Sequence, residues 1–571
     1  MLDCIIRNGT VVDGTGGPPR RADVAIKDGR VVGIGTVDQD ATQIIDATGK
    51  MVTPGFIDVH THYDAQAFWD QTLSPSPLHG ITTVIAGNCG FTIAPLVPEH
   101  GDYLMRMLAR VEGMPLESLQ QGVPWDWTSY GEWLDKLDGT LSVNAGFMVG
   151  HSTIRRLVMG ERSIGHHATP EDLIAMKALL AESIDAGGLG FSSSWASTHN
   201  DANGDPVPSR HASEEEMVEL SRVCGQFDGT SLEFIPAVGR FRPEHIDLIT
   251  RMSAAAGRTL NWNLIAPSTS PQQMAVMENN LGAYSYAQQR GGRIIALTVP
   301  CAIESRLNFD SGFLLDALNG WREPMALPRA EKMALLSDAN SRRELDALAQ
   351  GPSPVRGVAK WHNLIVGDVV SDENQQYLGR SIGEIAESQG RSTFDTLCDI
   401  VVTDELRTGL FQPLRGNDDE TWELRTKVWR DERTVLGGTD AGAHLDLLAT
   451  FNATSAMLGN AVRQRNLLSW EEAVHHLTEV PAQLYGITGR GKLAEGYWAD
   501  INVIDPSTVG AKPTYARYDL PGGAWRLYGE ADGFDHVLVN GVEIVNHGEF
   551  TPARPGTLLR SGRDTSGTGI G

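Results

Sequence analysis

The stretch Gly55-Phe56-Ile57-Asp58-Val59-His60-Thr61-His62 decides the fold. A short apolar run ends in two histidines separated by one residue. In a β-strand, residues i and i+2 point to the same face. The spacing therefore projects His60 and His62 side by side from the end of a buried strand. Neutral imidazole is the commonest protein metal ligand, and two aligned rings make a chelate. Cys89 follows in Ile85-Ala86-Gly87-Asn88-Cys89-Gly90-Phe91, where glycines on both sides leave room for close approach. A thiolate next to two imidazoles is a zinc donor set. Read singly, a cysteine is a buried core residue, and Cys4, Cys224, Cys301 and Cys398 are assigned to that role.

Outward from this stretch, further strand-like runs lie at 82–86, 143–149, 188–191, 231–236, 259–265, 293–299 and 435–440. Helix-like segments intervene at 169–186, 214–226, 243–256 and 270–289. The first of these opens with Thr169-Pro170, a capping residue followed by a proline suited to the first helical turn. Strands alternating with helices imply an α/β fold with a parallel sheet, and eight such units fit a (β/α)8 TIM-like barrel. A doubly wound open sheet is the rival. In a barrel, His60, His62, Cys89, His151, Glu233, Asn263 and Asp440 all fall at or just past the carboxyl ends of strands, the face where catalytic groups converge.

The barrel is expected over 55–494, with an insertion around 301–430 that holds its own helices and a strand at 361–366. Turns at Asn8-Gly9, Asp28-Gly29 and Asn540-Gly541 sit between apolar runs, which is a hairpin signal. Residues 1–54 and 495–558 are thus predicted to form one small β-sandwich domain from both termini; two separate β caps are the alternative. The Gly/Ser/Thr-rich end, 559–571, reads as a flexible tail.

The 571 residues include 72 acidic and 47 basic ones, for a net charge of −25. That field disfavours nucleic acid and anionic membranes. No apolar run approaches the ~20 residues of a membrane span. The first residues lack a signal-peptide pattern, and five scattered cysteines suit reduced thiols in a cytoplasmic protein. Oligomeric state, a homo-oligomer included, is not written in the sequence.

Asp440 ends the apolar run Val435-Leu436-Gly437-Gly438-Thr439-Asp440. A carboxylate at that place can accept a proton from a metal-activated water and return it to a leaving amine; the plain alternative is an Asx turn. His444 lines the pocket or caps the next helix. His151 is a metal ligand, an oxyanion donor or a backbone-bonded core histidine. The pair His475-His476 reads as helix surface. There is no Gly-x-Ser-x-Gly elbow and no phosphate loop.

Gly55–His62, Gly87-Asn88-Cys89-Gly90, Val149-Gly150-His151, Gly188-Leu189-Gly190-Phe191-Ser192 and Pro481-Ala482-Gln483-Leu484-Tyr485-Gly486 resemble the D-aminoacylase (N-acyl-D-amino-acid deacylase) branch of the amidohydrolase superfamily. The resemblance covers nearly the whole chain except 301–430 and the tail. It implies a barrel with a flanking β-sandwich, one or two zinc ions, and hydrolysis of a non-peptide amide in a small-molecule substrate. By position, the metal and catalytic roles carry to His60, His62, Cys89 and Asp440, with Asp440 as general base and acid. The family's histidines at the ends of strands five and six are missing. Glu233 and Asn263 occupy the nearest places, the first able to ligate a metal and the second suited to substrate. In the long polar loop 194–210 and just after it, His199, Asp201, Arg210 and His211 are within reach of a pocket, and an arginine pairs well with a substrate carboxylate. Two other functions stay open: hydrolysis of a cyclic or aromatic-acid amide, and an inactive barrel kept as a binding protein.

Overall fold

The computed structural model describes residues 1–353, 355–414 and 416–569. Eight parallel strand positions organise it: β1 Phe56–Asp58, β2 Ile81–Ala86, β3 Asn144–Phe147 resumed at Val149–Gly150, β4 Gly190–Ser194, β5 Ser231–Ile235, β6 Leu260–Ile265, β7 Ile294–Thr298 and β8 Thr434–Leu436. Each pairs in parallel with the next, from β1 through β8. The ring returns to its start through a parallel bridge between Thr61 and Ala441. The Asp440 amide donates to the His60 carbonyl at 3.2 Å, and the His62 amide to the Ala441 carbonyl at 2.8 Å.

The strands are buried on both faces, as a parallel sheet covered by helices requires. Four helices supply much of that cover: α1 Pro170–Asp185, α2 Glu214–Cys224, α3 Pro243–Ala256 and α4 Pro271–Gln288. Thr169 and Asp172 close a reciprocal cap ahead of α1, with Pro170 in its first turn. The strand β1 is shorter than predicted. The chain leaves extended pairing after Asp58, and the two histidines ride on the segment that follows.

Both termini build one continuous sheet of nine strands, not two facing ones. The reason is the long strand Leu2–Val11, whose first half pairs with Ala41–Asp46 and whose second half pairs with Met51–Pro54. Ile501–Ile504 then joins the N-terminal strands to the C-terminal ones. Cys4, Ile6, Val24, Ile26, Val52, Ile501, Val503 and Leu538 form its shared core. Residues 510–532 stay outside this sheet in two small antiparallel pairs.

The end of the chain is ordered where a flexible tail was predicted. Leu558–Leu559 pairs in parallel with β3, Thr565 donates to the Gly229 carbonyl at 2.7 Å, and the Ser566 amide to the Gly486 carbonyl at 2.8 Å. Two buried leucines and the backbone bonds of their neighbours outweigh the flexible composition. Residues 570–571 lie outside the described part.

The insertion carries its own core of Phe309, Trp321, Leu336, Trp361, Ile385 and Leu397. Its three-stranded antiparallel sheet runs Arg306–Leu307, Gly409–Phe411, Ile365–Asp368. The predicted strand at 361–366 begins only at Ile365, because Trp361–Asn363 forms a helical turn. All five cysteines are buried free thiols. Among the described residues no helix is long and apolar enough to cross a membrane.

Gly190 is where β4 must be glycine. Its φ is +131°, and a Cβ there would lie 1.9 Å from the Ser231 carbonyl oxygen of β5. Gly190→Ala is expected to destabilise the chain by about 3 kcal/mol or more, read as a loss of thermal midpoint or of soluble yield; a wild-type midpoint would contradict the placement. His79 offers a pH test. It is fully buried, with Nε2 donating to the Gly529 carbonyl at 3.1 Å and Nδ1 accepting from Ser455 Oγ at 2.7 Å. Burial lowers its pKa to about 4 from an ordinary 6.5. Between those values the unfolded chain binds the proton and the folded one does not, so stability rises with pH across the window. On the order of 3 kcal/mol, present above pH 6.5, is expected to fade toward pH 4, and His79→Gln should flatten that part of the profile of thermal midpoint against pH.

Candidate metal centre

His60, His62 and Cys89 each present a ligand atom within 4.8 Å of the others, and all three are buried. His60 Nε2 lies 3.4 Å from Cys89 Sγ and 3.2 Å from Asp440 Oδ1; His62 Nε2 lies 3.7 Å from the same oxygen. Three strand ends thus deliver four donors: β1 the histidines, β2 the cysteine, β8 the aspartate. Cys89 and Asp440 have φ of +57° and +54°, a region costly for side chains other than glycine. Both are pinned there: the Cys89 amide donates to Glu233 Oε2 at 2.8 Å, and the Asp440 amide to the His60 carbonyl.

Carboxylates crowd this point. Asp58, Asp64, Glu112 and Glu233 are all buried around it. Asp58 accepts from the Thr439 hydroxyl at 2.5 Å, Asp64 from the Gly87 amide at 3.0 Å, and Glu112 Oε1 lies 3.4 Å from His62 Nδ1. Burial raises Asp58 to about 6, Asp64 to about 7 and Glu233 to about 8. Burial also drives the Cys89 thiol well above its ordinary range, reinforced by Glu233, Glu112 and Asp440. Burial works against a charge on His62, yet Glu112 and Asp440 lift it to about 9. Asp440 is pushed up by burial and pulled further down by both imidazoles, so it ends far below the carboxylate range. The positive groups acting on these acids are the two imidazoles. Such a surplus of buried negative groups is what a bound dication would balance, and the orphaned Glu233 Oε1 is a further oxygen left without a partner. The residues present therefore fit a divalent cation held by nitrogen and sulfur.

Of the residues singled out by sequence, His60, His62, Cys89 and Asp440 meet. Glu233 touches the cluster through the Cys89 backbone and lies outside the three-residue set. Asn263 Nδ2 donates to Asp440 Oδ1 at 3.2 Å and lies 3.4 Å from His60 Nε2, so it braces the carboxylate. Gly438 leaves space for it: a Cβ there would lie 2.3 Å from Asn263 Oδ1.

His151 does not face the site. Its Nδ1 bonds Ser193 Oγ and its Nε2 bonds Glu216 Oε1, both at 2.9 Å, and Arg155 closes the network on Glu216 at 2.8 Å. With both ring nitrogens used, it is a core histidine behind β4. Arg210 is also corrected: its Nη1 donates to the His199 carbonyl and to Asn200 Oδ1 at 3.0 and 2.7 Å, so it ties down its own loop. Asp201 caps the same loop, accepting from the amides of Asn203 and Asp205. His444 donates its amide to the Glu112 carbonyl at 2.5 Å and sets its ring 5.4 Å from Phe313. It belongs to the wall around the cluster.

Three residues escaped the sequence reading. Asp58 and Asp64 continue the i, i+2 pattern of the histidines backward and forward, so a signal for both was present. Glu112 follows a helix, Gly101–Val111, and no local pattern marks it. Beside Asn263 opens a cavity of about 490 Å³ walled by Ile235, Val238, Phe241, Trp262, Met277 and His199. Burial lowers the His199 pKa to about 3, so that ring is neutral.

A model described as "Amidohydrolase family" matches residues 43–545. An uncharacterized protein of Mycobacterium bovis is 30% identical over 539 residues, covering 88% of this chain and 85% of its own. D-aminoacylase of Alcaligenes xylosoxydans xylosoxydans is 26% identical over 564 residues, covering 98% of this chain and 97% of its own. The crystal structure of N-acyl-D-glutamate deacylase from Bordetella bronchiseptica, complexed with zinc and a phosphonate inhibitor, shares the fold, with a TM-score of 0.65 at 23% identity over 98% of this chain and 99% of its own. The family match spans the strand ring together with the site it carries, and on that ground the chain belongs to the amidohydrolase family, in its D-aminoacylase branch.

Proposed function

We propose that this enzyme is a metal-dependent hydrolase that cleaves a non-peptide amide C–N bond, with an N-acyl amino acid of D configuration as its substrate. The observation that carries the reading is the convergence of His60, His62 and Cys89 beside Asp440. Relatives named for D-aminoacylase and N-acyl-D-glutamate deacylase activity support the substrate class. We further propose a (β/α)8 barrel over 55–494, interrupted near 301–430, with 1–54 and 495–558 as its companion β domain.

His60, His62 and Cys89 would hold the cation, which the zinc-complexed relative suggests is zinc. When bound, a divalent cation supplies Lewis acidity to the amide carbonyl and to water. Asp440 would take a proton from the attacking water as its oxygen bonds the amide carbon, and return it to the departing nitrogen as the C–N bond breaks. Its Oδ1 faces His60, His62 and Asn263. Asn263 keeps the carboxylate oriented through the reaction. Its amide is a weak metal donor, so a single tight cluster implies about one ion per chain.

Asp440→Asn is expected to lower kcat roughly 10²–10⁴-fold on N-acyl-D-amino acids while folding and metal content persist; undiminished turnover would refute its role. Elemental analysis should find about one zinc per chain in the wild type and far less in Cys89→Ala. Protein stripped with a chelator should lose turnover and regain it with zinc. Full activity after complete removal of metal would sink the reading.

A further inference from the structure

Among the described residues, four histidines have a buried ring nitrogen without a hydrogen-bond partner: His60, His100, His199 and His444. His60 belongs to the metal cluster. His100 lies beside Gly160, and His444 stands against Phe313. Neither of these two lines the cavity that reaches Asn263; His199 does. A polar atom left unbonded inside the protein costs free energy unless a ligand or a water answers it.

The loop that carries His199 is tied down on both sides of it. The His199 amide donates to the Ala196 carbonyl at 3.0 Å, and the His199 carbonyl accepts from the Val207 amide at 3.3 Å and from Arg210 Nη1 at 3.0 Å. Two residues on, Asp201 accepts from the Tyr103 hydroxyl at 3.2 Å. The ring packs edge to face with Phe91, at 5.2 Å between centroids, and Phe91 is two residues past Cys89. Backbone bonds thus fix the place of the ring while its buried nitrogen stays unbonded.

The cavity leads to the cluster. One of its walls is Asn263, whose Nδ2 donates to Asp440 Oδ1 at 3.2 Å and lies 3.4 Å from His60 Nε2. His62 and Asp440 are also near enough to act on a charge at His199. Once a dication balances them, the carboxyl groups and the thiol around the cluster are acceptors. The Asn263 donor is used on Asp440. Of the other polar walls, Asn280 is bonded to Gly239 and Phe241, and Thr198 and Gln273 are exposed. The donor that remains in the cavity is the His199 ring.

We propose that the His199 ring donates a hydrogen bond to the carbonyl oxygen of the amide being cleaved, an inference that rests on the amide hydrolysis proposed above. As the water oxygen bonds the amide carbon, the π pair of the C=O bond moves onto the carbonyl oxygen. The His199 N–H meets that charge and keeps its proton. When the C–N bond breaks, the pair returns to the carbonyl and the leaving nitrogen takes its proton from Asp440. Burial keeps the ring neutral, so it serves as a hydrogen-bond donor and not as an acid. A donor already held in place stabilises developing charge with little reorganisation.

The test is calorimetric titration of the full-length zinc-loaded protein with methylphosphonate, a tetrahedral anion drawn to the cation whatever the natural substrate. His199→Phe keeps a ring against Phe91 and removes the donor; His199→Gln keeps a donor. Zinc content is expected to be the same in all three proteins. Methylphosphonate affinity should fall about tenfold or more in His199→Phe and only a few-fold in His199→Gln. His199→Leu replaces His199→Phe if the latter does not fold. Equal affinity in the zinc-loaded proteins, no binding by the wild type, or equal losses in the Phe and Gln variants overturns the proposal. Loss of zinc from His199→Phe overturns it too, since the ring then supports the cluster. In turnover of an N-acyl-D-amino acid, His199→Phe should lower kcat about 10²-fold or more with KM within a few-fold, because the bond strengthens as the oxygen gains charge. A wild type that turns over no N-acyl-D-amino acid removes that substrate and leaves the methylphosphonate result to decide on His199.

Discussion

Everything at the centre depends on the seam where the last strand meets the first. Two backbone hydrogen bonds, Asp440 to His60 and His62 to Ala441, close the ring and fix the Asp440 carboxylate against the imidazoles. A slip of one residue along that seam would turn His60 and His62 to the other face, since strand side chains alternate. Closure of the ring and assembly of the cluster are thus the same contact. The first histidine receives a backbone bond from the residue whose carboxylate its ring also touches.

The second constraint is electrostatic. Four buried carboxyl groups and a thiol share a small volume with two imidazoles, and without a cation several of them are driven toward their protonated forms. Cys89 and Asp440 add backbone strain at the same place. Strain and unbalanced charge persist only where the surrounding structure over-determines them. Here the supports are Glu233 under the Cys89 amide, Thr439 on Asp58, and Glu112 against His62. Each comes from a different element, which makes the site a product of the whole ring and not of one motif.

Much of this was legible in the sequence. The eight strand positions fell within a few residues of their observed bounds because buried parallel strands are short apolar runs with clear punctuation. His60, His62, Cys89 and Asp440 were readable because each follows such a run. Glu112 was not, since its partnership with His62 is made only when a helix end folds back over the cluster. His151 followed a strand as the clustered histidines do, but Glu216, far along the chain, captures its outward nitrogen. Composition misled at the C-terminus, where a Gly/Ser/Thr-rich end follows a paired strand and docks against two separate loops.

The account stands on a cation bound by one sulfur and two imidazoles at the seam. X-ray absorption at the metal edge of the purified protein reads those donors directly. The account predicts a sulfur scatterer at about 2.3 Å together with imidazole nitrogens near 2.0 Å, with the sulfur signal gone in Cys89→Ala. A coordination sphere made only of oxygen and nitrogen in the wild type would contradict it.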